Sequence, residues 1–150
     1  MSVSISNILV AVDFDERSEV LLDYARDLAE KYDARIWIVH IAAPEPEYIG
    51  YRVGPEYIRD VRAEDLRDEH RFLQNMAAGI RESGGKAESL LIQGPTVETL
   101  LDELNKLEAD LMVVGTNKHG FFYRAFAEDT SLELHKRCDI PLLSVPLPQE

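Results

Sequence analysis

The sequence predicts an α/β fold, with a mostly parallel sheet covered by helices on both faces. Three observations lead there. Five short apolar runs alternate with segments of helical period along the whole chain. The runs are continuously apolar, as strands buried on both faces must be. Strict alternation of strand and helix implies parallel strands joined by right-handed crossovers.

The first strand is Ile8-Leu9-Val10-Ala11-Val12. Asp15 or Ser18 can cap the helix that follows, and the helical period assigns its buried stripe to Val20, Tyr24, Ala25, Leu28, Ala29 and Tyr32. Ile36 to Ile41 forms the second strand. Residues 42–54, with Pro44, Pro46, Tyr48 and Tyr51, read as a loop. Pro55 suits the first turn of a long charged helix from Glu56 to about Ser83, whose apolar side is Ile58, Val61, Phe72, Leu73, Met76 and Ile80. Gly84-Gly85 ends it.

Ala87 to Ile92 is the third strand, closed by Gly94-Pro95. A helix opens at Thr96, with Val97, Leu100, Leu101, Leu104 and Leu107 in its apolar stripe. Leu111 to Val114 is the fourth strand and ends on Gly115. A glycine-containing loop leads to a last helix over Asp129 to Arg137, and Pro141 to Val145 is the fifth strand. In such sheets ligands sit beyond the carboxyl ends of the strands, where the winding reverses. Asp13 after strand one, and Val114 and Gly115 at the tip of strand four, are therefore the places to look for a site.

Composition narrows the function. A chain of 150 residues fits one domain with its own core. The net charge of −12 repels phosphate backbones and anionic lipid, which argues against nucleic acid or a membrane surface as partner. A single cysteine, Cys138, cannot form an intramolecular disulfide and reads as a small buried residue. His40 reads as a packed strand-end residue, and His70, His119 and His135 show no metal-ligand spacing to one another. The opening MSVSISN lacks a signal peptide's basic and apolar regions, and no apolar run reaches about 20 residues, so a cytoplasmic protein is expected.

Four segments together resemble the universal stress protein family: ILVAVDFDERSE, WIVHI, QGPTVETLLDELNKLEADLMVVGT and IPLLSVP. Their order and spacing cover essentially the whole chain, and the third segment is the most specific. The resemblance implies a five-stranded parallel sheet of order 3-2-1-4-5, an adenine-nucleotide alpha-hydrolase-like fold. It implies that Asp13 meets an adenosine and that the backbone of Ile41 lines the adenine slot. It also implies a phosphate loop of form G-x-x-G-x9-G-S/T running into the last helix. Glycines let backbone N–H groups approach phosphates, and the helix N-terminus adds partial positive charge.

This chain keeps Gly115 but has Lys118, Glu128 and Asp129 at the other three places of that loop. Lys118 is able to contact a phosphate as readily as to block the turn. Glu128 and Asp129 oppose a triphosphate: one like-charge pair at about 4 Å costs about 4 kcal/mol at an effective dielectric of about 20. Asp129, with Thr130 beside it, is also a normal helix cap, and so is Asp13.

The expected function is a stress-response binding or signalling protein, not an enzyme, acting on an unidentified protein partner without tight ATP binding. The alternative is an adenine-nucleotide binder with an altered loop, holding ATP or AMP weakly. An adenylating enzyme is disfavoured, because no glycine-rich pyrophosphate loop follows strand one. Leu142, Leu143 and Val145 give the fifth strand an apolar sheet edge, which predicts a homodimer through that strand. Tyr48, Tyr51 and Tyr57 form either a partner surface or a lid.

Overall fold

The computed structural model describes residues 2–13, 16–42, 56–94, 96–117, 120–121 and 128–148. The chain runs β1 (Asn7–Ala11), α1 (Ser18–Tyr32), β2 (Arg35–Ala42), α2 (Glu56–Glu82), β3 (Lys86–Gln93), α3 (Thr96–Lys106), β4 (Leu111–Asn117), β5 (Gly120–Phe121), α4 (Glu128–Arg137) and β6 (Leu142–Pro146). Parallel pairings join β3 to β2, β2 to β1, β1 to β4 and β4 to β6. This is the expected order 3-2-1-4-5, with the fifth parallel strand numbered β6 because β5, two residues long, intervenes. β5 runs antiparallel to the end of β4.

Each strand divides its side chains between two cores. Ile8, Val10, Ile36, Ile38 and Val113 pack under α1 and α2 with Leu21, Ala25, Leu73 and Ala77. Leu9, Ala11, Val39, Met112 and Val114 pack under α3 and α4 with Val97, Leu100, Leu104 and Leu134. Continuous apolar runs are what a sheet covered on both sides needs.

Three helices end in the same way. Ala34, Gly85 and Ala109 donate their N–H groups to Ala29, Ile80 and Leu104, each five residues back. The residues just before them, Asp33, Gly84 and Glu108, have φ of 54°, 94° and 51°. This left-handed cap satisfies carbonyls that the helix leaves open and turns the chain straight into the next strand.

At that same edge of the sheet, Asp110 Oδ2 accepts the N–H groups of Ser6 at 2.7 Å and Asn7 at 3.0 Å. The Asp110 N–H in turn donates to the Asn7 carbonyl at 2.8 Å. One carboxylate thus sets β1 beside β4, giving the register Ile8 to Leu111.

Several expectations need correction. Tyr24 and Tyr32 are 49% and 45% exposed, outside the buried stripe of α1, which is Ser18, Leu21, Leu22, Ala25 and Ala29. The spacing Val20–Tyr24–Leu28 is equally helical but lies on the flank of the helix, because small Ala25 and Ala29 let the opposite meridian approach the sheet. Tyr32 is the last residue of α1. Phe72 is 43% exposed, and Ala77 fills the inner face of α2 with Leu73 and Ile80. The side chains of Ile58 and Val61 lie outside the described residues. β4 continues past Gly115 to Asn117, because Thr116 and Asn117 pair with β5.

No helix among the described residues is long and apolar enough to cross a membrane.

Candidate functional site

The winding reverses between β1 and β4, and at such a switch point an open α/β sheet offers a crevice beyond the carboxyl ends of the strands. α2 packs against β3 and β2. Its 27 residues rise about 40 Å, against about 26 Å for the eight of β3, so its first turns stand above the sheet edge.

Asp13 is half-buried just beyond β1. Its backbone is held from two sides. The Asp13 N–H donates to Ser18 Oγ at 3.2 Å, and the Ser18 hydroxyl donates to the Asp13 carbonyl at 2.8 Å. His40 Nδ1 lies 2.8 Å from the Val12 carbonyl. A carbonyl only accepts, so the ring donates from Nδ1. Val12 also donates its N–H to the Val39 carbonyl at 2.9 Å.

Ser18 and His40, with 0% and 7% of their surface exposed, are thus the polar residues that fix the turn carrying Asp13. Sequence reasoning treated Ser18 as a helix cap and His40 as a packed strand end. The structure corrects the first: Ser18 is the first residue of α1, and the capping residue Arg17 makes no side-chain cap bond. Asp15, the other cap candidate, lies outside the described residues.

Ile41 is buried opposite Ile92 of β3, and Val114 opposite Ser144 of β6. Both belong to the core under α3 and α4. Gly115, also buried, pairs with Val145. Asp13, Ile41, Val114 and Gly115 therefore meet at one end of the sheet. Thr116 pairs with Pro146 on one side and Phe121 on the other, so β5 stands on the side of β4 that β1 occupies lower down. β5 continues the line of β1 into the crevice.

Lys118 lies outside the described residues. Glu128, Asp129 and Thr130 are the first three residues of α4, which packs against β5 and α3. The acid pair therefore begins a helix, where free N–H groups and the helix dipole favour negative charge. Tyr48 and Tyr51 lie outside the described residues, as does the side chain of Tyr57. Cys138 is half-buried and donates its thiol to the Ile140 carbonyl at 3.5 Å. Among the described residues, no group of three His, Cys, Asp or Glu could hold a metal ion.

Two cavities lined by described residues lie at the opposite, amino edge of the sheet. One, of about 460 Å³, lies between the ends of α1 and α2. Its cations are engaged, Arg26 with Ser83 Oγ at 2.8 Å and Lys86 with Asp33 Oδ1 at 3.0 Å. The other, between α3 and α4, is taken up below.

A five-stranded parallel sheet in this order, with a switch-point crevice between β1 and β4, defines an adenine-nucleotide alpha-hydrolase-like fold. The universal stress protein family pattern matches residues 4–146, and the chain belongs to that family. It is 30% identical over 148 residues to universal stress protein C of Escherichia coli O6:H1, covering 97% of this chain and 98% of that protein. A universal stress protein family structure from Burkholderia pseudomallei superposes with a TM-score of 0.68 at 25% identity, over 95% of this chain and 96% of its own. A universal stress protein solved in complex with cAMP superposes with a TM-score of 0.67 at 20% identity, over 95% and 97%.

Proposed function

We propose that this chain is a cytoplasmic stress-response binding protein that acts through partner contacts, with no catalytic role, and whose crevice admits adenosine or AMP more readily than ATP. The observation that carries this reading is the start of α4 at Glu128 and Asp129. In the family's loop a glycine and a Ser or Thr stand there. Two carboxylates at that helix start compete with phosphate for the same N–H groups and repel it. Repulsion grows with the number of phosphate charges, so ATP suffers most and adenosine least. The similar protein solved with cAMP, a single-phosphate ligand, supports a crevice suited to such molecules.

Calorimetry with adenosine, AMP and ATP tests this. ATP is expected to bind with Kd weaker than about 100 μM, allowing roughly two decades of loss. The triple change Lys118→Gly, Glu128→Gly, Asp129→Ser restores the loop pattern and should bring ATP binding into range. Tight ATP binding by the unaltered chain refutes the reading, and so does a triple variant that gains nothing.

The partner contacts begin with a second copy of the chain. Among the described residues β6 pairs only with β4, so its outer edge offers a row of free backbone groups. Leu142 and Leu143 are half-buried and extend that edge as apolar surface. Val145 is 2% exposed within its own core, so it contributes backbone and not side chain to such a contact. Light scattering at micromolar concentration should give a dimer, and a 17.0 kDa species would exclude it.

A further inference from the structure

α3 and α4 lie on the same face of the sheet and end near one another, at the edge opposite the crevice. Between their last turns is a groove of about 510 Å³. Its floor is Leu101, Leu104, Ala109 and Ile140. Leu104 and Ala109 are buried, whereas Leu101 and Ile140 are half-buried and present apolar surface to the opening. Asp102, Glu108 and Asp139, all exposed, line the same groove.

Of the charged side chains that line it, three are carboxylates and one is Arg137; Lys106 and Lys136 stand in the same last turns but outside the lining, Lys106 Nζ 3.7 Å from Glu103 Oε1. Both helices point their carboxyl ends toward this edge, and each adds partial negative charge to the three carboxylates. Arg137 also lines the groove, but its guanidinium lies 3.5 Å from Glu98 Oε1 and 2.9 Å from Glu133 Oε1. Two glutamates thus already answer that cation. An apolar floor inside a negative rim defines its occupant: aliphatic side chains below, lysine or arginine around them. A second copy of this chain, with 28 acidic against 16 basic residues, is a poor source of the cations this rim calls for.

We infer that this groove docks a basic amphipathic helix of a partner protein, an inference that rests on the partner-binding reading above and names the partner's chemistry. The helix lays its aliphatic face on Leu101 and Ile140, and its cations reach Asp102, Glu108 and Asp139. Steering by the rim speeds encounter, and the apolar floor slows release.

The test uses the full chain and a fluorescein-labelled peptide of about 18 residues, patterned in Leu and Lys to form an amphipathic helix. Binding is read by anisotropy at low and high salt. The triple variant Asp102→Asn, Glu108→Gln, Asp139→Asn should weaken binding about tenfold or more, equivalent to about 1.4 kcal/mol. A matched triple on α1, Glu19→Gln, Asp23→Asn, Glu30→Gln, removes the same charge and should change Kd less than about threefold. Ile140→Ser should weaken binding at both salt concentrations.

Equal weakening by the two triples would mean attraction to the whole acidic chain and would overturn the inference. So would a peptide that does not bind the unaltered chain. If Ile140→Ser fails to fold, the triples still decide, since they alter only exposed side chains. A groove triple that changes the oligomeric mass would assign the groove to a second copy and overturn the basic partner. Failure of the peptide with dimerisation and AMP binding intact would remove the groove alone. Failure of all three would remove the function proposed above.

Discussion

Asp110→Ala tests how the two halves of the sheet are aligned. The substitution leaves the Ser6 and Asn7 N–H groups without the acceptor they share at 2.7 and 3.0 Å. A hydrogen bond to a charged acceptor contributes about 1.5–3 kcal/mol, and water recovers most of it where the donor is exposed. Ser6 is the more exposed of the two donors, and Asn7 is half-buried. Most of the loss therefore comes from Asn7, and the expected destabilisation is about 2 kcal/mol, or about 4–8 °C in melting temperature for a chain this long. Asp110→Asn keeps one oxygen able to accept from both donors and loses only the charge, so it should cost about half as much. Urea melts measure both, and amide exchange of Ser6 and Asn7 should accelerate in step. Losses below about 0.5 kcal/mol in both variants would refute the reasoning, since a surface position gives as much. The register of β1 on β4 would then be held by the sheet without help.

Leu100→Ala and Leu104→Ala remove buried side chains from the inner stripe of α3 and should each cost about 2–5 kcal/mol in denaturant melts. Asn105→Ala, exposed on the same helix, should change stability by less than about 0.5 kcal/mol; equal effects would disprove the stripe. Ser18→Ala releases the Asp13 backbone and should cost about 1–2 kcal/mol while weakening AMP in calorimetry. Weakened stability with unchanged AMP affinity would show that the turn carries no part of the ligand site.

The legible parts of the fold were those where burial dictates composition. β1 is covered on both faces, so Ile8 to Ala11 had to be apolar, and its run could be nothing but a central strand. The caps at Gly84 and Gly85 were legible because glycine suits a left-handed residue. Their counterparts at Asp33 and Glu108 were not, because ordinary residues bear the same conformation. Tyr24 misled because a helical period fixes a spacing, not which meridian meets the sheet. Carboxyl strand ends were read short at Gly115, since polar Thr116 and Asn117 are what a crevice edge uses. Asp13, Ile41, Val114 and Gly115 were placed together by strand order. That Ser18 and His40 clamp the Asp13 turn was not readable, because all three of their bonds run to backbone atoms, which no side-chain pattern reports.

Four of the sheet's fixings lie at one end. The caps at Asp33, Gly84 and Glu108 and the Asp110 carboxylate all sit at the amino edge, a full strand length from Glu128 and Asp129. Substitutions so far apart contribute nearly additively to stability. Rewriting the loop at residues 118, 128 and 129 should therefore leave the foundations of the sheet untouched. A lineage carrying this scaffold is free to exchange one ligand for another without first losing its fold.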